Sequence, residues 1–126
     1  DKAEISKTIT NEDIVAFAEL TGDVNPIHLD EEFAKKTFFK ERIAHGMLTA
    51  SFISTILGTQ LPGTNTIYLS QNVKFKAPVK IGDTVRVIAE VVEKRDDKKI
   101  IKLHTTLVNQ NGITVVEGEA VVMKMK

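Results

Sequence analysis

The spacing of hydrophobic residues changes near residue 64: upstream they recur every three or four positions, and downstream they alternate with polar ones. The first half therefore reads as helix and the second as strand. Residues 2–9, KAEISKTI, are expected to form a short opening strand. Thr10 followed three residues later by Asp13 is an N-terminal capping pattern for NEDIVAFAEL, whose Ile14, Phe17 and Ala18 share one face. Thr21-Gly22 ends that helix, and Asp30 caps a shorter one in DEEFAKKT. A third segment, GMLTASFISTILGTQ, carries Met47, Leu48, Phe52, Ile53, Ile56 and Leu57 around most of its circumference. A helix apolar on nearly all sides has to be wrapped.

Four β-rich runs follow: NTIYLSQNVKF, DTVRVIAEVVEK, KKIIKLHTTLVNQ and ITVVEGEAVVMK, separated by the turn signals KAPVKIG, RDDK and NG. Consecutive strands joined by short turns predict an antiparallel meander. In the first run Ile67, Leu69, Val73 and Phe75 alternate with Tyr68, Ser70, Asn72 and Lys74, so one sheet face is apolar and needs cover. The long helix is the candidate cover. The expected architecture is α+β, a curved antiparallel sheet of about five strands, counting the N-terminal one, around a central helix. An unpaired edge strand can meet its own copy, which predicts a homodimer.

Composition narrows the picture without changing it. With 126 residues, 42% of them apolar, and 17 basic against 17 acidic side chains, residues 1–126 fit one globular domain with a sizeable core. There is no basic run to suggest nucleic acid or an anionic membrane. No apolar stretch approaches the roughly 20 residues of a membrane span, and no signal-peptide pattern is read at Asp1. With no cysteine there is no disulfide, thiol nucleophile or cysteine metal site, and a cytoplasmic protein is expected.

Candidate chemistry concentrates in TGDVNPIHLD. Asp23, Asn25 and His28 lie close together, with Pro26 stiffening the chain between them. A carboxylate and an imidazole that converge on one water can do acid/base work. Read alone, the same residues are also an ordinary Asx-Pro turn beside a helix-flanking histidine. In RIAHGML, Gly46 opens the long helix, so its N–H is an unpaired donor able to hold an oxyanion, or the glycine merely eases a tight entry. His45 reads as structural or solvent-facing. Ser54 would ordinarily bond the carbonyl of Ala50. His104 reads as exposed on a strand face, and a metal site from Asp23, His28, Asp30 and His45 has no recognisable spacing.

Taken together, TGDVNPIHLD and, after a spacer, HGMLTASFISTILGTQLPG with IYLSQNVKFKAPVKIGD resemble the MaoC-like dehydratases, specifically the (R)-specific enoyl-CoA hydratases. Gly22, Asp23, Asn25, Pro26 and His28 match the family's G-D-x-N-P-x-H pattern, and the likeness runs from Ile14 to Val122. The resemblance implies a single hot-dog fold and a role in fatty acid metabolism: syn addition of water to a trans-2-enoyl-CoA, giving the (R)-3-hydroxyacyl-CoA. It implies that Asp23 and His28 activate the water and the Gly46 N–H polarises the thioester carbonyl. Ser54 would support the pair, and Leu57 would limit the acyl tunnel; Asn25 could orient Asp23 or simply cap the turn, and orienting is the role expected. The implied partners are an acyl-CoA thioester and water, with no metal or other cofactor. Three alternatives stay open: a 3-hydroxyacyl-acyl-carrier-protein dehydratase, for which Lys35, Lys36, Lys40, Arg42, Lys74 and Lys76 could form a basic collar, a non-catalytic acyl-CoA binding module, and a thioesterase.

Overall fold

The computed structural model describes residues 1–125. Strand β1 (Lys2–Thr8) leads into helix α1 (Asn11–Thr21), two short helices α2 (Pro26–Leu29) and α3 (Glu31–Lys35), and the long helix α4 (Gly46–Thr59). Strands β2 (Thr66–Phe75), β3 (Thr84–Arg95), β4 (Ile100–Val108) and β5 (Thr114–Lys124) complete the chain. They form one antiparallel sheet in the order β1-β3-β4-β5-β2, curved over α4 as in a hot-dog fold. No helix among the described residues is long and apolar enough to cross a membrane.

The predicted caps form as the residue types require. Thr10 Oγ1 accepts from the Asp13 N–H at 3.1 Å while the Asp13 carboxylate accepts from the Thr10 N–H at 3.0 Å, closing a capping box on α1. Gly22, in the left-handed region, ends that helix, and Asp30 caps α3 by accepting the Phe33 N–H. The core lies between α4 and the concave face of the sheet. Ile53, Ile56, Val87, Leu103, Leu107 and Val122 are all essentially inaccessible to solvent.

Three expectations need correction. Only β3, β4 and β5 form a meander; β2 pairs with β5 and not with β3. The connecting residues 76–83, with Pro78 among them, are too long for a hairpin turn. They bond instead to Val115 and Ala44 and carry the chain across the sheet.

Next, the alternation read along β2 breaks at a bulge between Tyr68 and Ser70. An extra residue flips every later side chain to the other face. Tyr68, paired with buried Val122, therefore shares the inward face with Val73 and Phe75, whereas Ile67 points outward beside Met123.

Finally, α4 is not covered on all sides. Met47, Ser51, Ser54, Thr55 and Gly58 form an exposed stripe, because the sheet curves over only one flank of the helix.

Candidate active site

Residues 22–25 join α1 to α2, and main-chain bonds shape this link. The Asp23 N–H donates to Thr21 Oγ1 at 3.2 Å, and the Asn25 N–H donates to Asp23 Oδ1 at 3.3 Å, so the backbone holds the carboxylate. Of the two roles open to it, the Asn25 side chain takes the cap, accepting the Ile27 N–H at 3.3 Å at the start of α2. Pro26 follows as the first helical residue, where its missing donor costs nothing. This four-residue helix was not expected from the sequence, because it is too short to show a hydrophobic period. Its effect is to turn His28 inward while Asp23 stays exposed.

His28 Nδ1 lies 2.8 Å from the carbonyl oxygen of Ile43. A carbonyl only accepts, so Nδ1 carries the hydrogen and Nε2 keeps a free lone pair. Burial lowers the His28 pKa from its ordinary value; the Ile43 bond opposes this, His45 reinforces it and Asp23 opposes it. The neutral ring is thereby favoured. Arg42 steadies the same segment, its Nε donating to the His28 carbonyl at 2.7 Å and its Nη2 to Asn11 Oδ1 at 2.8 Å. Arg42 is thus engaged within the fold rather than free for a basic collar.

His45, read as structural or solvent-facing, is buried at 2% exposure. Its ring stacks on His28 with centroids 4.0 Å apart. One donor atom from each of Asp23, His28 and His45 lies within 4.8 Å of the others. Such a trio could also ligate an ion, but a ring nitrogen of each histidine already faces a main-chain carbonyl. A single water between carboxylate and imidazole suits the arrangement.

Beside the pair is a cavity of about 330 Å³. His28, Gly46 and Thr49 supply its polar lining, Phe39 and Val116 apolar walls, and Lys76 a positive charge. Gly46 is the first residue of α4, so its N–H has no partner within the helix. A Cβ at this position would sit 2.9 Å from Phe75 Cε1, so the ring packs where only glycine leaves room. His28 and Gly46 thus share this cavity, and Asp23, outside its lining, stands next to His28.

Ser54 and Leu57 lie outside the cavity lining. Ser54 is exposed, and eight residues of helix turn it about 80° away from Gly46. Leu57 points the same way as Gly46 but about 16 Å farther along the axis, within the core at 1% exposure. His104 stays on the outer sheet face, 3.3 Å from Glu117, as an ordinary surface pair. Sequence reasoning missed Thr49, Phe39 and Val116 as lining and the burial of His45. Their neighbours come from elsewhere in the chain, and only the HG pair at the helix entrance hinted at His45.

Comparison with known proteins follows the same lines. Residues 2–112 match the family described as MaoC like domain. The chain is 51% identical to an (R)-specific enoyl-CoA hydratase of Rhodospirillum rubrum, over 96% of this chain and 83% of that one. It is 37% identical to a mitochondrial 3-hydroxyacyl-[acyl-carrier-protein] dehydratase of Arabidopsis thaliana, over 91% of this chain and 70% of the relative. A solved structure, an (R)-hydratase from A. caviae involved in PHA biosynthesis, superposes with a TM-score of 0.95 at 48% identity, covering 98% of this chain and 93% of that one.

Proposed function

The chain belongs to the MaoC-like dehydratase family, and on that premise we propose that it works as an (R)-specific enoyl-CoA hydratase in which Asp23 and His28 activate one water. It is a hydro-lyase: water adds across the double bond of a trans-2-enoyl-CoA to give the (R)-3-hydroxyacyl-CoA. The observation that supports the residue assignment is that His28, its Nδ1 engaged by the Ile43 carbonyl, offers a ring nitrogen within 4.8 Å of an Asp23 carboxylate oxygen and lines the cavity that Gly46 also lines.

The chemistry follows from that geometry. The thioester carbonyl accepts the Gly46 N–H, which draws electron density from the double bond and leaves C3 electrophilic. The water, held by Asp23 and His28, adds through oxygen to C3 while His28 Nε2 takes its proton. Charge develops on the carbonyl oxygen, where the helix start favours it. His28 then returns the proton to C2 on the same face, and the neutral imidazole is restored. The lowered pKa of His28 suits this return, because a weakly basic ring releases its proton readily.

The cavity is near the lower end of ligand-site volumes, which fits a short acyl group. Leu57, outside the lining and farther along α4, would be met only by a longer tail. Leu57→Ala is therefore expected to raise relative activity on longer enoyl-CoAs, with each added methylene worth roughly 0.8 kcal/mol of binding. Unchanged chain-length preference would exclude Leu57 from the tunnel. Ser54 keeps a supporting role in the proposal through the exposed stripe of α4, which a second subunit would cover. The working form is a homodimer, and a cytoplasmic place in fatty acid metabolism fits a cysteine-free enzyme of acyl-CoA.

Loss of the crotonyl-CoA double-bond absorbance, with chiral analysis of the product, tests this reading. Formation of (R)-3-hydroxybutyryl-CoA is expected; thiol release without hydration would show a thioesterase, and binding without turnover an acyl-CoA binding module. The likeness to the carrier-protein dehydratase supports a second carrier. Faster turnover of crotonyl-carrier-protein than of crotonyl-CoA would favour it.

A further inference from the structure

His45 is more deeply buried than His28, yet the steps above make no use of it. Its ring is held by Phe17, centroids 4.8 Å apart, and by the stacked ring of His28. Nε2 lies 3.0 Å from the main-chain oxygen of Asp23. That oxygen can only accept, so Nε2 carries the hydrogen and Nδ1 is left with a lone pair. Nδ1 is buried and has no hydrogen-bond partner. For packing alone, a phenyl ring would fill this space without an orphaned acceptor. What imidazole adds is the single donor, and it points at Asp23.

The placement of that donor matters because, among the described residues, Asp23 is otherwise held only by near neighbours, Thr21 and Asn25. The bond from His45 spans 22 residues and ties the exposed link between α1 and α2 to the buried N-cap of α4. Two residues earlier, the carbonyl of Ile43 accepts the Nδ1–H of His28. One residue later stands Gly46. The short segment 43–46 therefore holds the His28 ring and the Asp23 main chain and offers the oxyanion donor.

We propose that His45 is a positioning residue: its Nε2–H fixes the main chain at Asp23 so that the carboxylate and His28 Nε2 meet the same water. This rests on the hydratase reading. A catalytic group displaced by about 1 Å can cost on the order of 100-fold in rate.

The test compares His45→Phe, His45→Gln and Asp23→Asn with the parent in crotonyl-CoA hydration. Glutamine places an amide nitrogen near the position of Nε2 and keeps the donor. Phenylalanine keeps the ring and loses it. His45→Phe is expected to melt at or above the parental temperature while kcat falls about 10- to 100-fold with little change in KM. His45→Gln is expected to recover most of that loss. Parental kcat in His45→Phe, or no recovery in His45→Gln, overturns the proposal. Should His45→Phe not fold, ring-nitrogen NMR of the parent protein still decides. His45 must appear as the Nε2–H tautomer and His28 as the Nδ1–H tautomer, and the reverse assignment for His45 overturns the proposal. An active parent with impaired Asp23→Asn but normal His45→Phe would remove His45 alone and leave the hydratase reading standing.

Discussion

Burial moves the His28 pKa below the ordinary value of 6.5, and the Ile43 bond leaves Nε2 as the accepting atom. A base works only while unprotonated, so kcat/KM is expected to persist as pH falls through 6.5 and to decline only below it. The same shift acts on stability. Between 6.5 and the folded value the unfolded chain takes up a proton that the native chain refuses, so the contribution of this group is complete above 6.5 and is lost as pH falls through that window. His28→Gln removes the titration and should flatten the decline of melting temperature between about pH 7 and 5. Identical slopes in variant and parent would contradict this. At Gly46, Ala would push its Cβ against the Phe75 ring. Gly46→Ala is expected to lower kcat about 10- to 100-fold by displacing the donor or the wall, and parental turnover would show that the close approach does not matter.

Elements carry the site because each is stopped and started at a defined residue. The Thr10–Asp13 box fixes the start of α1 and hence the register of Phe17, which packs on His45. Thr10→Ala should cost about 1 kcal/mol, read as a lower melting temperature. Gly118 has a harsher constraint, since a Cβ there would lie 1.9 Å from the Asn72 oxygen across the β2–β5 pair. Gly118→Ala should cost about 3 kcal/mol or more by forcing β2 away; a thermally unchanged variant would refute the close approach. The same elements show why some of the structure was legible in the sequence and some was not. Caps at Thr10, Gly22 and Asp30 and the four strands depend on local chemistry, and they could be read residue by residue. The bulge at Leu69, the crossing of residues 76–83 and the inward turn of His28 depend on partners far along the chain, so no local pattern announced them. Of the two roles open to Asn25, its side chain takes the capping one, while its N–H serves the Asp23 carboxylate.

At the scale of the whole molecule, one edge of the sheet is β2, which leaves Ile67, Leu69 and Phe75 substantially exposed, and α4 presents the stripe from Met47 to Gly58. An apolar edge of that length invites pairing with a second copy. Light scattering should give twice the chain mass of 14.0 kDa. Leu69→Lys should shift the protein toward monomer, whereas a parental monomer at micromolar concentration would remove the dimer. Such an assembly would hold the link at Asp23, the short helix at His28 and the start of α4 at Gly46 around one water. Crotonyl-CoA turnover by Asp23→Asn measures that arrangement most directly. The swap preserves size and removes the carboxylate, so kcat should fall at least about 100-fold in a folded protein with parental melting temperature. The double variant with His28→Ala should be little worse than either single one, because groups acting on one water are not additive. Near-parental turnover by Asp23→Asn would contradict the assignment.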